Sequence, residues 1–280
     1  MNHHDLSLDG FRRLMEEIKE EIDLLDTIQQ RKILSDIFAC IDNTTLNGSD
    51  STASVKEFCH NTKQMQLGDG TQVASVCVYP SLVSTAKKSL RDSDIKVASV
   101  ACGFPAGQIP TSLKIEETRY AIDEGADEID MVINRGAILE GDTARVADEV
   151  AAVKEVCGKE ILLKVILETG ELQSPQTIYS TSLLALEAGA DFVKTSTGKI
   201  STGATPEAAY SMLSAIIDFS KKNNREIGFK AAGGISTLND AMTYYLMTTK
   251  MLNCKNIDKH IFRIGASRLT NQVFQNLTNK

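Results

Sequence analysis

Eight short β-rich runs alternate with helical patterns along most of the chain, and this alternation constrains the fold more than any other feature. The runs cover 33–42, 73–80, 95–102, 126–134, 160–168, 190–197, 226–233 and 260–267. Between them lie segments with helical spacing, among them 111–124, 143–156, 175–188, 206–220 and 237–251. Strand, helix and strand again calls for parallel strands joined by right-handed crossovers. Eight such units in about 230 residues is the arithmetic of an α/β fold of the (β/α)8 TIM-barrel type. A doubly wound open sheet is the competitor. It would carry a glycine-rich fingerprint after its first strand, and DNTTLNGSD (42–50) contains no G-x-G-x-x-G. Pro80, Pro175 and Pro206 stand where the first turn of a helix is expected.

No Pro/Gly-rich linker divides the chain, so we read one barrel domain over 33–280 preceded by an N-terminal helical extension over 1–32. In the extension Leu8, Phe11, Leu14, Ile18, Ile22, Leu25 and Ile28 recur at steps of three or four, with charges between them. This is an amphipathic helix. Its narrow stripe needs one partner surface, so it is expected to pack on the outside or bottom of the main domain. A contact within a homodimer is the alternative.

Charge and cysteine usage narrow the partners. Lys and Arg number 30 against 37 Asp and Glu, a net charge of −7. Binders of nucleic acid or anionic membranes are usually basic, so neither partner is expected, although a local basic pocket for a phosphorylated small molecule is compatible. No segment approaches the roughly 20 apolar residues of a membrane span. The start, MNHHDLSLDG, has early acids and lacks the apolar stretch of a secretory signal. The six cysteines are scattered without zinc-type spacing, and the four histidines form no H-x-x-x-H pair. No metal or other cofactor is expected, and a reducing cytoplasmic setting fits.

Strands of a parallel barrel are covered on both sides and should be mostly Val, Ile and Leu. Several runs break that rule near their C-terminal ends, where the active site of such a barrel lies. In 128–134, Ile129, Met131 and Ile133 share one parity, while Glu128, Asp130 and Asn134 share the other. In 162–168, Leu163, Val165 and Leu167 oppose Lys164, Ile166 and Glu168. Strand side chains alternate faces, so the polar parity should point into the barrel. The same logic aims Lys194 and Lys230 inward. One mouth would then hold Asp130, Lys164, Lys194 and Lys230, with Glu168 at its rim.

An inert ion-paired interior would explain one or two of these lysines. Three on successive strands raise one another's electrostatic cost, and that cost is useful to a nucleophile. A free lysine has a pKa near 10.4 and is almost wholly protonated at neutral pH. Desolvation and a cationic neighbour can lower it far enough to expose a free amine. Such an amine forms a Schiff base with a carbonyl, and the protonated imine withdraws electrons from an adjacent C–C bond. Asp130 is the candidate acid/base. The constellation reads as Schiff-base aldolase chemistry without a metal.

Small residues after strands 6, 7 and 8 add a phosphate signal. They are Thr195-Ser196-Thr197-Gly198-Lys199, Ala231-Ala232-Gly233-Gly234 before an N-cap at Ser236-Thr237, and Gly265-Ala266-Ser267. Exposed backbone N–H groups at such places bind phosphate. The string TSTGK is not a Walker loop, because Val193 and Ile200 stand where Gly and Ser/Thr are required. Cys77 and Cys102 are expected in the core or pocket wall.

These residues resemble the deoxyribose-phosphate aldolases, a class I aldolase family. The matching strings are DNTTL (42–46), VCVYP (76–80), GFP-x-G (103–107), ETRYAI-x-x-GADEIDMVIN (117–134), LLKVILETGEL (162–172), AGADFVKTSTGK (188–199), FKAAGGI (229–235) and RIGAS (263–267). The resemblance implies a (β/α)8 barrel that reversibly cleaves 2-deoxy-D-ribose 5-phosphate to D-glyceraldehyde 3-phosphate and acetaldehyde, in deoxyribonucleoside breakdown. It implies that Lys194 is the Schiff-base lysine. Lys230 lowers its pKa and shares in proton transfer, Asp130 exchanges protons through a water, and Lys164 supports Asp130. Phosphate would lie among Gly198, Lys199, Gly233, Gly234, Gly265 and Ser267, and Asp42 and Thr44 would face the sugar hydroxyls. Arg268 stands where some relatives have a second serine, and the end QNLTNK lacks the tyrosine that some members carry. The alternatives are another Schiff-base barrel enzyme, transaldolase-like or thiolase-like, and a non-catalytic sugar-phosphate-binding protein.

Overall fold

Every β-rich run supplies a strand, and each strand pairs with the next in chain order. In the computed structural model, which describes residues 6–254 and 257–279, the strands are β1 (Ile41–Thr44), β2 (Ser75–Val78), β3 (Lys96–Ala101), β4 (Glu128–Val132), β5 (Leu162–Ile166), β6 (Phe192–Lys194), β7 (Gly228–Ala232) and β8 (Phe262–Ala266). β8 returns to β1 with Ile41 opposite Ile264 and Asn43 opposite Ala266, which closes a parallel barrel. The helices are α1 (Leu8–Leu24), α2 (Thr27–Ala39), α3 (Thr52–Gln64), α4 (Val83–Ser89), α5 (Thr111–Asp123), α6 (Arg135–Glu140), α7 (Thr143–Cys157), α8 (Pro175–Glu187), α9 (Pro206–Asn223), α10 (Leu238–Leu252) and α11 (Arg268–Thr278). Pro175 and Pro206 open α8 and α9, and Pro80 opens a short 3-10 turn after β2. The readings made on His3, His4 and the first residues concern 1–5, outside the described residues.

The N-terminal region departs from the sequence expectation in two ways. The stripe from Leu8 to Ile28 is broken at Leu25–Asp26, where a second helix begins. The Asp26 carboxylate accepts from the Gln29 N–H at 2.8 Å, and the Gln29 side chain accepts from the Asp26 N–H at 3.0 Å. This capping box starts α2. Residues 33–39, the first part of the first β-rich run, belong to α2, which buries Leu34, Ile37 and Phe38. Their i, i+3, i+4 spacing is helical, and a short apolar run does not distinguish the two states. α2 passes through residue 32, so the extension and the barrel share a helix. α1 lies on the outside of the barrel, as its narrow stripe requires. Ile18 is buried, Phe11 meets the Tyr210 ring of α9 edge-on at 5.6 Å, and Glu21 pairs with Lys250 of α10 at 2.7 Å.

Strand parity sorts the core into two layers. Ile129, Met131, Leu163, Val165, Val193 and Phe229 pack outward among the helices. The inner parity divides around the barrel. Cys77 of β2 and Ala98 and Val100 of β3 form an apolar arc with Leu46. The remaining strands bring the charged side chains inward, beside Val132, Ile166 and Phe192 of the same parity.

Candidate active site

The charges converge because parallel register sets them level. Asp130 of β4 stands opposite Lys164 of β5, and Lys194 of β6 opposite Lys230 of β7. Lys230 is in turn opposite Arg263 of β8. All five side chains are buried, together with Glu128 and Asp42. Charge this deep persists only when it is paired and hydrogen-bonded.

Asp130 is the hub. Its Oδ1 accepts from Lys164 at 2.6 Å, and its Oδ2 accepts from both Lys194 and Lys230 at 2.7 Å. Lys164 also meets Glu128 at 2.6 Å and Asp42 at 3.7 Å. Lys230 donates a second bond to Asp42 at 2.5 Å. Among the described residues, Lys194 has Asp130 as its single carboxylate partner. Burial opposes ionisation in every one of these groups, yet the outcomes differ. Asp130 is held well below the usual carboxylate range, because Lys164, Lys194 and Lys230 outweigh its burial. For Lys164 and Lys230, burial is outweighed by Asp130 with Glu128 and Asp42, and both ammonium groups are held above the ordinary lysine value. Lys194 alone among the three lysines is pushed down. Burial is the largest cause, Asp130 opposes it, and Lys230 adds to it. Cys77, beside the cluster, is pushed up to about 11 by burial and the Asp130 charge, and burial pushes Cys102 up to about 12. Both thiols are neutral and belong to the core, Cys77 in the inner apolar arc and Cys102 against Thr118 of α5.

A cavity of about 700 Å³ opens above Lys194. Its far side brings together Gly198, Lys199, Gly233, Gly234, Gly265 and Ser267, the residues expected around a phosphate, and Thr44 lies on its rim. Two loops meet there at glycine positions. A Cβ on Gly203 would lie 2.2 Å from the Gly233 carbonyl oxygen, and one on Gly233 would lie 3.3 Å from Gly198 Cα. The N–H of Ala204 donates to the carbonyls of Ala232 and Gly233, tying the loops together. α10 is closed at its N-terminus by a capping box of Thr237 and Asp240. α11 begins at Ser267 with no side-chain cap, so its first amides face the cavity end unclaimed by a side chain. Lys199 Nζ is drawn over the cavity onto the Leu46 carbonyl.

Two expected residues sit elsewhere than sequence placed them. Asp42 is fully buried with its carboxylate given to Lys230 and Arg263, so it faces the charge cluster rather than the cavity. Glu168 is below the rim, buried in a left-handed conformation (φ 56°), and accepts from the Thr197 N–H at 3.2 Å and the Thr197 hydroxyl at 2.5 Å. It therefore holds the loop that carries Gly198 and Lys199. Arg263 and the pairing role of Glu128 were not identified from sequence, although a lone charge between Phe262 and Ile264 gave the same parity signal that exposed Lys230. A second cavity, about 770 Å³ between α7 and α8, is lined by small and apolar side chains such as Ala147, Ala151 and Leu184. It presents no amine to a carbonyl.

Comparison with known proteins follows the same line. A family model described as DeoC/LacD family aldolase matches residues 37–250. The chain is 41% identical over 256 residues to the deoxyribose-phosphate aldolase of Mus musculus and 40% identical over 256 residues to that of Homo sapiens, covering 86% of this chain and 80% of each relative. Among solved structures it is similar to QR15, an aldolase, with TM-score 0.71 and 28% identity over 88% of this chain and 99% of the other. The tetrameric deoxyribose phosphate aldolase of Aeropyrum pernix shares the fold at TM-score 0.71 and 24% identity, with 94% and 97% of the two chains covered.

Proposed function

The chain belongs to the DeoC/LacD aldolase family, and from that premise we propose that Lys194 is the amine that forms an imine with its aldehyde substrate. The activity is that of a deoxyribose-phosphate aldolase, a class I carbon–carbon lyase. The observation that carries the imine reading is an asymmetry among three buried lysines. Lys164 and Lys230 each have more than one carboxylate partner and are held charged. Lys194 has one, is pushed toward the free amine, and is the one of the three that lines the cavity.

In the cleavage direction, Lys194 Nζ attacks C1 of 2-deoxy-D-ribose 5-phosphate and water leaves, giving a protonated imine. Loss of the C3 hydroxyl proton lets the C2–C3 electron pair move into the imine. D-glyceraldehyde 3-phosphate departs and an enamine remains. Protonation at C2 and hydrolysis release acetaldehyde and restore Lys194. Asp130 is held as a carboxylate, so it steadies the cationic imine nitrogen and relays protons through a water, with Lys230 as the neighbouring donor. Lys164 keeps Asp130 in place. Gly198, Lys199, Gly233, Gly234, Gly265 and Ser267 take the phosphate, and Thr44 reaches the sugar. Asp42 acts from below, by holding Lys230.

The setting completes the proposal. Cys40, Cys59, Cys77, Cys102 and Cys157 are buried thiols without disulfides, which suits a reducing cytoplasm and a role in deoxyribonucleoside catabolism. No helix among the described residues is long and apolar enough to cross a membrane. A homodimer is tested by sedimentation velocity. Residues 1–32 are proposed as an accessory extension to the barrel domain of 33–280.

Borohydride reduction in the presence of acetaldehyde, followed by peptide mass mapping, tests the nucleophile. An ethyl group on Lys194 is expected. Lys194→Arg should give no adduct and no turnover, since a guanidinium stays protonated. An adduct on another lysine, or turnover in Lys194→Arg, would overturn the assignment.

A further inference from the structure

The interior acids are Asp42 on β1 and Glu128 and Asp130 on β4. The bases are Lys164 on β5, Lys194 on β6, Lys230 on β7 and Arg263 on β8. β2 adds Cys77, a neutral thiol, and β3 adds the apolar Ala98 and Val100. Of the charged groups above this level, Glu168 is engaged by Thr197 and Arg135 and Lys199 by the Leu46 carbonyl. The cluster therefore holds one base more than it has acids.

Arg263 is the base of the cluster that does not bond Asp130. It is 2% exposed, does not line the cavity, and stacks over the Phe192 ring at 5.8 Å. Its guanidinium spans two carboxylates, with Nη1 on Asp42 Oδ1 at 2.5 Å and Nη2 on Glu128 Oε1 at 2.7 Å. Those two acids are also the second partners of Lys230 and Lys164.

We propose that Arg263 is a positioning residue for catalysis: by taking up Asp42 and Glu128 from below, it leaves Lys194 as the interior base in excess of the carboxylates. With Arg263 present, three carboxylates are matched by Arg263, Lys164 and Lys230, and both lysines can turn toward Asp130. The Lys194 proton is then the surplus charge, and losing it brings the buried cluster to neutrality. Without Arg263, Asp42 would claim Lys230 and Glu128 would claim Lys164. Asp130 would need Lys194 as an ammonium ion. An excess buried charge is relieved by the group that can neutralise, and arginine cannot.

The inference rests on Lys194 being the attacking amine, and its test separates the two ideas. The acidic limb of the pH profile of kcat/KM reports ionisation in the free enzyme. Arg263→Met leaves three acids and three lysines, so the limb should move to higher pH by about one unit or more. Glu128→Gln removes an acid and should move it the other way. The double variant restores the surplus of one base, and its limb should return near that of the parent. Arg263→Lys keeps the charge and should keep the limb. A residue that merely props the barrel would lower activity across the pH range, without shifts of opposite sign that cancel. If Arg263→Met does not fold, Glu128→Gln and Arg263→Lys decide: a limb that falls in the first and stays in the second supports the proposal, and any other pattern overturns it. Acetaldehyde trapping is run on each variant. An adduct on another lysine overturns the Lys194 reading. An adduct on Lys194 with an unmoved limb in Glu128→Gln overturns the role of Arg263.

Discussion

Lys194 and Lys230 stand directly opposite each other on β6 and β7 and donate to the same oxygen, Asp130 Oδ2, each at 2.7 Å. Two ammonium groups sharing one lone-pair oxygen are in competition. Lys230 wins because Asp42 holds it from the other side. Neighbouring strands thus shift chemically identical side chains in opposite directions, Lys194 toward the free amine and Lys230 toward the ammonium ion.

Replacing Lys230 tests that competition. In Lys230→Met, Lys194 loses a like charge and gains Asp130 Oδ2 to itself, and both changes stabilise its ammonium form. With Lys194 as the proposed attacking amine, activity requires its neutral form and so rises with pH through the Lys194 ionisation. The acidic limb of kcat/KM should therefore move to higher pH, by about one unit or more, and the pH-independent maximum should fall because a proton donor is gone. Imine trapping should persist at high pH. An unmoved limb would show that burial alone sets Lys194.

A second buried ion pair lies outside the site and should affect stability without touching chemistry. Lys114 of α5 meets Glu149 of α7 at 2.6 Å, with both side chains essentially inaccessible. Lys114→Met strands the carboxylate with a single contact to Arg145 at 3.3 Å. The expected loss is about 3 kcal/mol, the low end for breaking a buried pair. Urea denaturation should show this loss, with kcat and KM unchanged at a temperature where the variant is folded. A loss within error would mean that Arg145 suffices.

The loops over the phosphate end offer a binding test. An alanine at Gly203 would place its Cβ 2.2 Å from the Gly233 carbonyl oxygen, so one loop has to move. Gly203→Ala should raise KM for the phosphorylated substrate by about tenfold, equivalent to ~1.4 kcal/mol, while acetaldehyde trapping at Lys194 is retained. A raised KM together with failed trapping would place the damage at the lysines instead.

Sequence showed the strands and the inward lysines because parity is a local property. A charge in a run of Val, Ile and Leu announces its face, and Lys164, Lys194 and Lys230 all did so. Height along the barrel is not local. Asp42 has the right parity to face a sugar, and register sets it opposite Gly265, but its carboxylate turns to Arg263 and Lys230 and not to the cavity. Glu128 likewise showed its face but not its partner, which lies 135 residues away. The limits of α2 were hidden for a different reason. Leu34, Ile37 and Phe38 satisfy a short buried strand nearly as well as a helix, and the deciding signal was the Asp26–Gln29 cap eight residues upstream of Leu34.

The barrel closes through its first and last strands, and the bond from Arg263 to Asp42 spans 221 positions of sequence. A growing polypeptide emerges with β1 first and β8 nearly last. Until residue 263 is made and docked, Asp42 and Glu128 lack that counter-charge, and the charge balance proposed for Lys194 is not yet assembled. On that proposal, enhanced reactivity toward aldehydes is expected only once the ring of strands is complete.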